Sequence, residues 1–199
     1  MADRYRPFED VDFAPVMKMP EKPEVLDLRN GLDAKYIQQA KWAIGRYNEK
    51  RRHMYIAEQY EGRRNIHVGI DFWAPSGQNI FSFYDGTIVY FRDNNQKGNY
   101  GPTIVTQHTI KGEKLYALWG HLSRESLHFH KRGDMISKGQ KLAEVGDETE
   151  NGNWPPHLHF QLSWNDPGEA DMPGVVSQEN HKEALQTYPD PRIVLGDLY

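Results

Sequence analysis

From about residue 66 onward, apolar and polar positions alternate in short runs that are cut by turn residues. The runs are Ile66–Trp73, Asn79–Phe83, Gly86–Arg92, Thr103–His108, Lys114–His121, Lys141–Val145 and His157–Trp164. Between them stand Pro75-Ser76-Gly77, Asp85-Gly86, Asn94-Asn95, Lys111-Gly112, Lys138-Gly139 and Asn151-Gly152. A period of two with β-branched and aromatic residues marks strands, and many short strands at this spacing predict an antiparallel sheet closed or folded on itself. The pattern before residue 66 differs. Ile37, Ala40, Ile44 and Tyr47 recur at three- and four-residue steps with Lys and Arg between them. That spacing predicts an amphipathic helix over 33–52, with Asn30 or Asp33 as its cap. Residues 1–31 are rich in Pro and charge and read as an extended arm. The tail, 165–199, is acidic and Pro-rich and reads as a surface wrap. The organisation expected is therefore an arm and helix over 1–62, a β domain over 63–164 and a tail over 165–199 that packs on it.

Composition narrows the chemistry. The chain has 199 residues, no cysteine and a formal charge of −4 with acids and bases interspersed. Thiolate zinc sites, disulfides and cysteine nucleophiles are excluded. A metal site must use His, Asp or Glu. No basic patch points to nucleic acid, and no apolar run has the length of a membrane span.

Three clusters carry candidate chemistry. In His67-Val68-Gly69-Ile70-Asp71, residues four apart on a straight strand lie about 13 Å from each other, too far for one ion. A bend at Gly69 would bring them together; without it the pair is a turn Asp beside a surface His. In His157-Leu158-His159, residues two apart point the same way about 6.6 Å apart. One imidazole can then ligate an ion while the other acts on water or substrate, although two solvent-facing His on an amphipathic strand give the same pattern. His121 ends the run Leu118-Trp119-Gly120 and by itself reads as a half-buried strand-end His. His128-Phe129-His130 runs into Lys131-Arg132 and reads as an exposed loop. His53 reads as a surface residue, and His108 and His181 have no partner in local sequence. Glu144, Asp147, Glu148 and Glu150 read as a solvated loop.

Together these segments resemble the lysostaphin-type (LytM-domain) zinc metallopeptidases. The resemblance rests on Ile66-His67-Val68-Gly69-Ile70-Asp71, Asp85-Gly86-Thr87-Ile88-Val89, Gly120-His121-Leu122-Ser123, Lys138-Gly139-Gln140 with Val145-Gly146, and Pro156-His157-Leu158-His159-Phe160, in the family's order. It implies a mainly β fold, an antiparallel sheet or barrel-like sandwich with a groove over it. It also implies one zinc ion held by His67, Asp71 and His159, with His121 and His157 as the catalytic pair. A Tyr shortly before the first motif often polarises the scissile carbonyl in this family; Tyr60 stands near that place. Trp154, in a bulkier approach to the second motif than usual, narrows the groove or stacks on substrate. Three protein ligands leave a fourth position for water, as catalytic zinc requires.

The function implied is a zinc endopeptidase acting on peptidoglycan cross-links or stem peptides. The alternatives are a cytoplasmic zinc hydrolase of another peptide or amide, and a non-catalytic groove-binding regulator. Residues 1–20 hold no apolar h-region, so the chain as written reads as cytoplasmic, with a non-classical or injected route to the wall as the alternative. No feature of the sequence specifies an oligomeric state.

Overall fold

A computed structural model of the chain describes residues 7–31, 33, 42–55, 60 and 63–199. Thirteen strands are found among them: β1 (Glu24–Val25), β2 (Ala43–Gly45), β3 (Glu49–Lys50), β4 (Ile66–His67), β5 (Ile70–Trp73), β6 (Asn79–Phe81), β7 (Gly86–Asn94), β8 (Gly101–Ile110), β9 (Glu113–Gly120), β10 (Met135–Ile136), β11 (Lys141–Glu144), β12 (His157–Ser163) and β13 (Val175–Val176). Two helices, α1 (His181–Thr187) and the single turn α2 (Arg192–Leu195), lie in the tail. No helix among the described residues is long and apolar enough to cross a membrane.

Eight strands form one sheet in the order β1-β2-β5-β12-β9-β8-β7-β10, antiparallel except for the β1–β2 pair. β1 and β10 stand at its edges, so the mainly β expectation holds but the sheet is open rather than a closed barrel. β6 pairs with β11, and β13, β4 and β3 form a third, three-stranded sheet. The long β8–β9 hairpin turns on Lys111 and Gly112, both with positive φ (51° and 86°), the mirror-image turn whose twist matches that of paired strands.

The strand period decides where the core sits. On β12, Leu158, Phe160 and Leu162 join the main apolar core with Ile70 and Phe72 of β5, Ile104 of β8, and Ala117 and Trp119 of β9. Ile80 of β6, Leu142 of β11 and Phe8, Val16 and Met17 of the arm belong to the same core. Burying side chains of this size contributes about 1.5–3 kcal/mol each. The alternate positions of β12, His157, His159, Gln161 and Ser163, are just as buried, on the opposite face.

The helix expected over 33–52 is not found where that span is described. Residues 43–45 and 49–50 are strands, joined through Asn48 with φ 55°. Ala43 and Ile44 are both buried because β2 pairs with β5 and packs on two faces, which helical periodicity does not register. The remainder, 34–41, lies outside the described residues. In the tail, β13 pairs with β4, and Ala184 of α1 packs with Ile66, Val68 and Val176. The strand that carries His67 is thereby held from behind.

Candidate active site

His67 and Asp71 belong to different sheets. β4 runs in the three-stranded sheet and β5 in the eight-stranded one, with the chain bending at Val68-Gly69. The bend replaces a straight-strand separation of about 13 Å with a His67 Nε2 to Asp71 Oδ1 distance of 3.2 Å. His159 faces Asp71 across the β5–β12 ladder and Gly120 across β12–β9. Its Nδ1 lies 3.1 Å from Asp71 Oδ1 and 3.0 Å from His67 Nε2.

The bend needs a glycine. A Cβ at Gly69 would sit 2.5 Å from His159 Cε1 and 2.9 Å from the Phe160 carbonyl. Gly69→Ala is therefore expected to displace the His159 ring and lower stability by about 1–3 kcal/mol, as overpacking does. Thermal unfolding with and without added zinc checks this; an unchanged zinc-induced rise in Tm would contradict it.

Hydrogen bonds assign the lone pairs. His67 Nδ1–H donates to the Arg46 carbonyl at 3.0 Å, so Nε2 carries a lone pair. Gln161 donates through Nε2 to the Pro173 carbonyl at 3.4 Å, so its Oε1 faces His159 and accepts from His159 Nε2–H at 3.0 Å. Nδ1 of His159 is thereby turned towards Asp71 Oδ1 and His67 Nε2. Asp71 is ionised: burial opposes its charge, but neighbouring His67 and Arg51 outweigh burial and hold the carboxyl well below the usual carboxylate range. Burial, helped by the Arg51 charge, pushes His67 down to about 4 and keeps it neutral.

Three potential ligand atoms, His67 Nε2, His159 Nδ1 and Asp71 Oδ1, thus converge at 3.0–3.2 Å. Two imidazole nitrogens and a carboxylate oxygen at that spacing are a donor set that a cation would complete. A tetrahedral ion with bonds of about 2.0–2.1 Å keeps its ligands about 3.3 Å apart, with His and carboxylate as suitable donors. The donor set fits a divalent metal. Gln161, the Arg46 carbonyl and Arg51 hold His159, His67 and Asp71 from outside, where outer partners stand in metal sites.

Beside this triangle stands a pair of bases. The His121 and His157 rings lie 4.2 Å apart, centroid to centroid. His121 donates through Nδ1–H to the Asn151 carbonyl at 2.8 Å, and His157 to the Pro155 carbonyl at 2.7 Å. Each keeps a free Nε2 lone pair. Burial lowers both, His157 to about 4 and His121 well below its ordinary value. His121 has φ 62°, costly for a non-glycine residue, at the end of β9. Trp73 stacks on His157 at 4.2 Å, and Trp154 meets His121 edge-on at 6.4 Å.

All five residues line one cavity of about 470 Å³. Tyr60 and Trp154 line it too, but the Tyr60 hydroxyl donates to the Gly98 carbonyl. The other candidates stand elsewhere. His128 and His53 are exposed, and His130 donates to the Leu142 carbonyl at 3.1 Å. His181 meets Asn48 at 2.6 Å. His108 is fully buried, donating to the Asp85 carbonyl and accepting from Thr106. Glu144 pairs with Lys141, and Glu150 accepts from the backbone of Arg124.

The model of "Peptidase family M23" matches residues 65–171, more than half of the chain. The chain belongs to peptidase family M23. It is 30% identical over 128 residues to the peptidoglycan DD-endopeptidase ShyA of Vibrio cholerae, covering 64% of this chain and 26% of that protein. It is 31% identical over 100 residues to the DD-carboxypeptidase/endopeptidase Mpg of Neisseria meningitidis, covering 50% of this chain and 20% of that one. The chain thus spans about a quarter or less of the length of these M23 relatives. The catalytic domain of the antimicrobial peptidase lysostaphin from Staphylococcus simulans superposes with a TM-score of 0.52 at 21% identity, over 83% of this chain and 98% of that domain. That likeness concerns the fold.

Sequence reading did not find Arg51, Trp73 or Gln161, which touch these residues, or Tyr55 and Tyr100, which line the same cavity. Gln161 carried a signal: it follows His157 and His159 at the same two-residue step. Arg51 sits in the basic run Lys50-Arg51-Arg52, and nothing local distinguishes it.

Proposed function

We propose that this M23 chain is a zinc endopeptidase that hydrolyses peptide bonds in peptidoglycan cross-links or stem peptides. His67, Asp71 and His159 would hold the ion, and His121 and His157 would be its catalytic pair. The observation that carries the reading is the convergence of His67 Nε2, His159 Nδ1 and Asp71 Oδ1 at 3.0–3.2 Å beside two neutral imidazoles that each present Nε2. Zinc, when bound, supplies Lewis acidity towards a water and the scissile carbonyl.

The chain's own residues do the rest. His157 Nε2 accepts the proton of the attacking water as the C–O bond forms. It returns that proton to the leaving nitrogen as the C–N bond breaks. His121 presents the second Nε2 and orients the water. The backbone carbonyls of Pro155 and Asn151 hold both rings in the tautomer this requires. Aromatic walls at Tyr55, Tyr60 and Trp154 suit an extended peptide and exclude water from it. The names of the curated relatives supply the substrate class.

The test is digestion of purified sacculi of several wall types with the zinc-loaded protein, read by mass spectrometry of the released peptides. New amine and carboxylate termini are expected. A chelator should abolish them and added zinc should restore them. Inactivity on every wall type, with zinc bound, would remove the substrate claim.

A further inference from the structure

Behind the ligand carboxylate lies an arginine that is 1% exposed. Nη1 of Arg51 donates to Asp71 Oδ2 at 2.7 Å and to the Tyr55 hydroxyl oxygen at 3.1 Å. Its Nε donates to Glu49 Oε2 at 3.0 Å and its Nη2 to the Arg46 carbonyl at 3.3 Å. Glu49 is held in turn by the Leu28 N–H at 3.1 Å. A buried ion pair is a poor source of stability, since apolar residues of similar volume often serve as well or better. Its position suggests another use. One guanidinium nitrogen touches both the ligand Asp71 and a phenol on the cavity wall.

We propose that Arg51 is a positioning residue of the hydrolytic site, acting on Asp71 and Tyr55 at once. This rests on the metal reading above. Towards Asp71, the guanidinium engages Oδ2 and leaves Oδ1 alone to face His67 and His159. The carboxylate then contributes one ligand atom, and space remains for water and substrate. Towards Tyr55, Arg51 occupies an oxygen lone pair, so the phenolic hydrogen is available to an acceptor in the cavity. Tyr55 is wedged between Tyr60, at 5.1 Å, and Trp154, at 6.0 Å. An oxygen that accepts a charge-assisted hydrogen bond is a stronger donor. The carbonyl oxygen of the scissile bond is the acceptor that needs it. The fork shape matters: an ammonium could not meet Glu49, Asp71 and Tyr55 together.

The test uses the full chain with R51M, R51K and Y55F. Zinc affinity is measured by competition with a chelating dye, coordination by the visible spectrum of the cobalt(II)-substituted protein, and turnover on a cleaved wall peptide. Both Arg51 variants are expected to bind zinc about 10- to 100-fold more weakly, the usual effect of losing an outer partner. Their cobalt bands should lose intensity as Asp71 brings in its second oxygen. Y55F should keep zinc affinity and the cobalt spectrum while kcat falls about 100-fold, the scale for losing one oxyanion donor. Should R51M not fold, R51K keeps charge and volume and carries the test. A folded R51K or R51M with wild-type zinc affinity and cobalt spectrum overturns the role at Asp71, and full kcat in Y55F overturns the role at Tyr55. Wild-type protein that takes up neither metal would sink the metal reading itself, along with this one.

Discussion

Asp71→Ala is expected to leave the protein without bound zinc. Among the described residues, the Asp71 side chain supplies the one carboxylate of the triangle, and it is buried at 2% exposure. With Asp71 present, Glu49, Arg51 and Asp71 sum to one negative charge that a dication can meet. Without it, Glu49 and Arg51 cancel, and a divalent ion would enter a buried, neutral pocket held by two imidazoles. Charge burial of that kind is heavily penalised. Affinity should fall by on the order of 1,000-fold or more, beyond the 10- to 100-fold typical of losing an outer partner. Arg51 also loses its 2.7 Å contact, and breaking a buried pair costs about 3–5 kcal/mol. A lower Tm should therefore accompany the loss of metal. Asp71→Asn, which keeps the shape, separates the two effects. Metal analysis after dialysis decides the matter: full zinc stoichiometry in a folded Asp71→Ala protein would contradict the assignment.

The second large effect belongs to His157. His157→Ala should retain zinc, because its ring contributes no atom to the 3.0–3.2 Å triangle. Turnover should fall by about 10²- to 10⁴-fold, the range for a positioned general base. The imidazole is suited to that task, being neutral and locked by the Pro155 carbonyl with Nε2 free. His121→Ala should lower turnover as well, and the double variant should lose far less than the product of the two single losses, since the residues act on one proton transfer. Steady-state kinetics together with metal analysis of the same samples checks this. Loss of zinc from His157→Ala would mean that His157 and His159 exchange roles.

The two histidine motifs differ in how legible they were. His157 and His159 were readable as a pair because a strand has a period of two, and β12 is a regular strand. His67 and Asp71 were not, because their four-residue spacing is wrong for a straight strand. Gly69 hinted at a bend, but the bend exists because β4 and β5 pair with different partners, Val175–Val176 of the tail and Leu158–Phe160 of β12. Those partners are about a hundred residues away in sequence. Over the described residues 42–52 strands stand where a helix was expected, for a related reason. Ala43 and Ile44 owe their burial to pairing with β5, a long-range contact that overrides local periodicity.

Local sequence determined the residue types and the strand pattern: no thiolate, a mainly β chain, alternating faces on β12, and five His and Asp side chains able to ligate or titrate. Those properties depend on side-chain chemistry and the period of the backbone, which short segments already possess. Convergence was decided by tertiary structure. It set the 3.0–3.2 Å spacing of the His67, Asp71 and His159 atoms, the tautomers imposed by the Arg46, Asn151 and Pro155 carbonyls, the burial that keeps His67, His121 and His157 neutral, and the placing of Arg51 behind Asp71. Each of these depends on atoms from distant segments meeting in a space closed to water, and such meetings exist only once the sheets have paired.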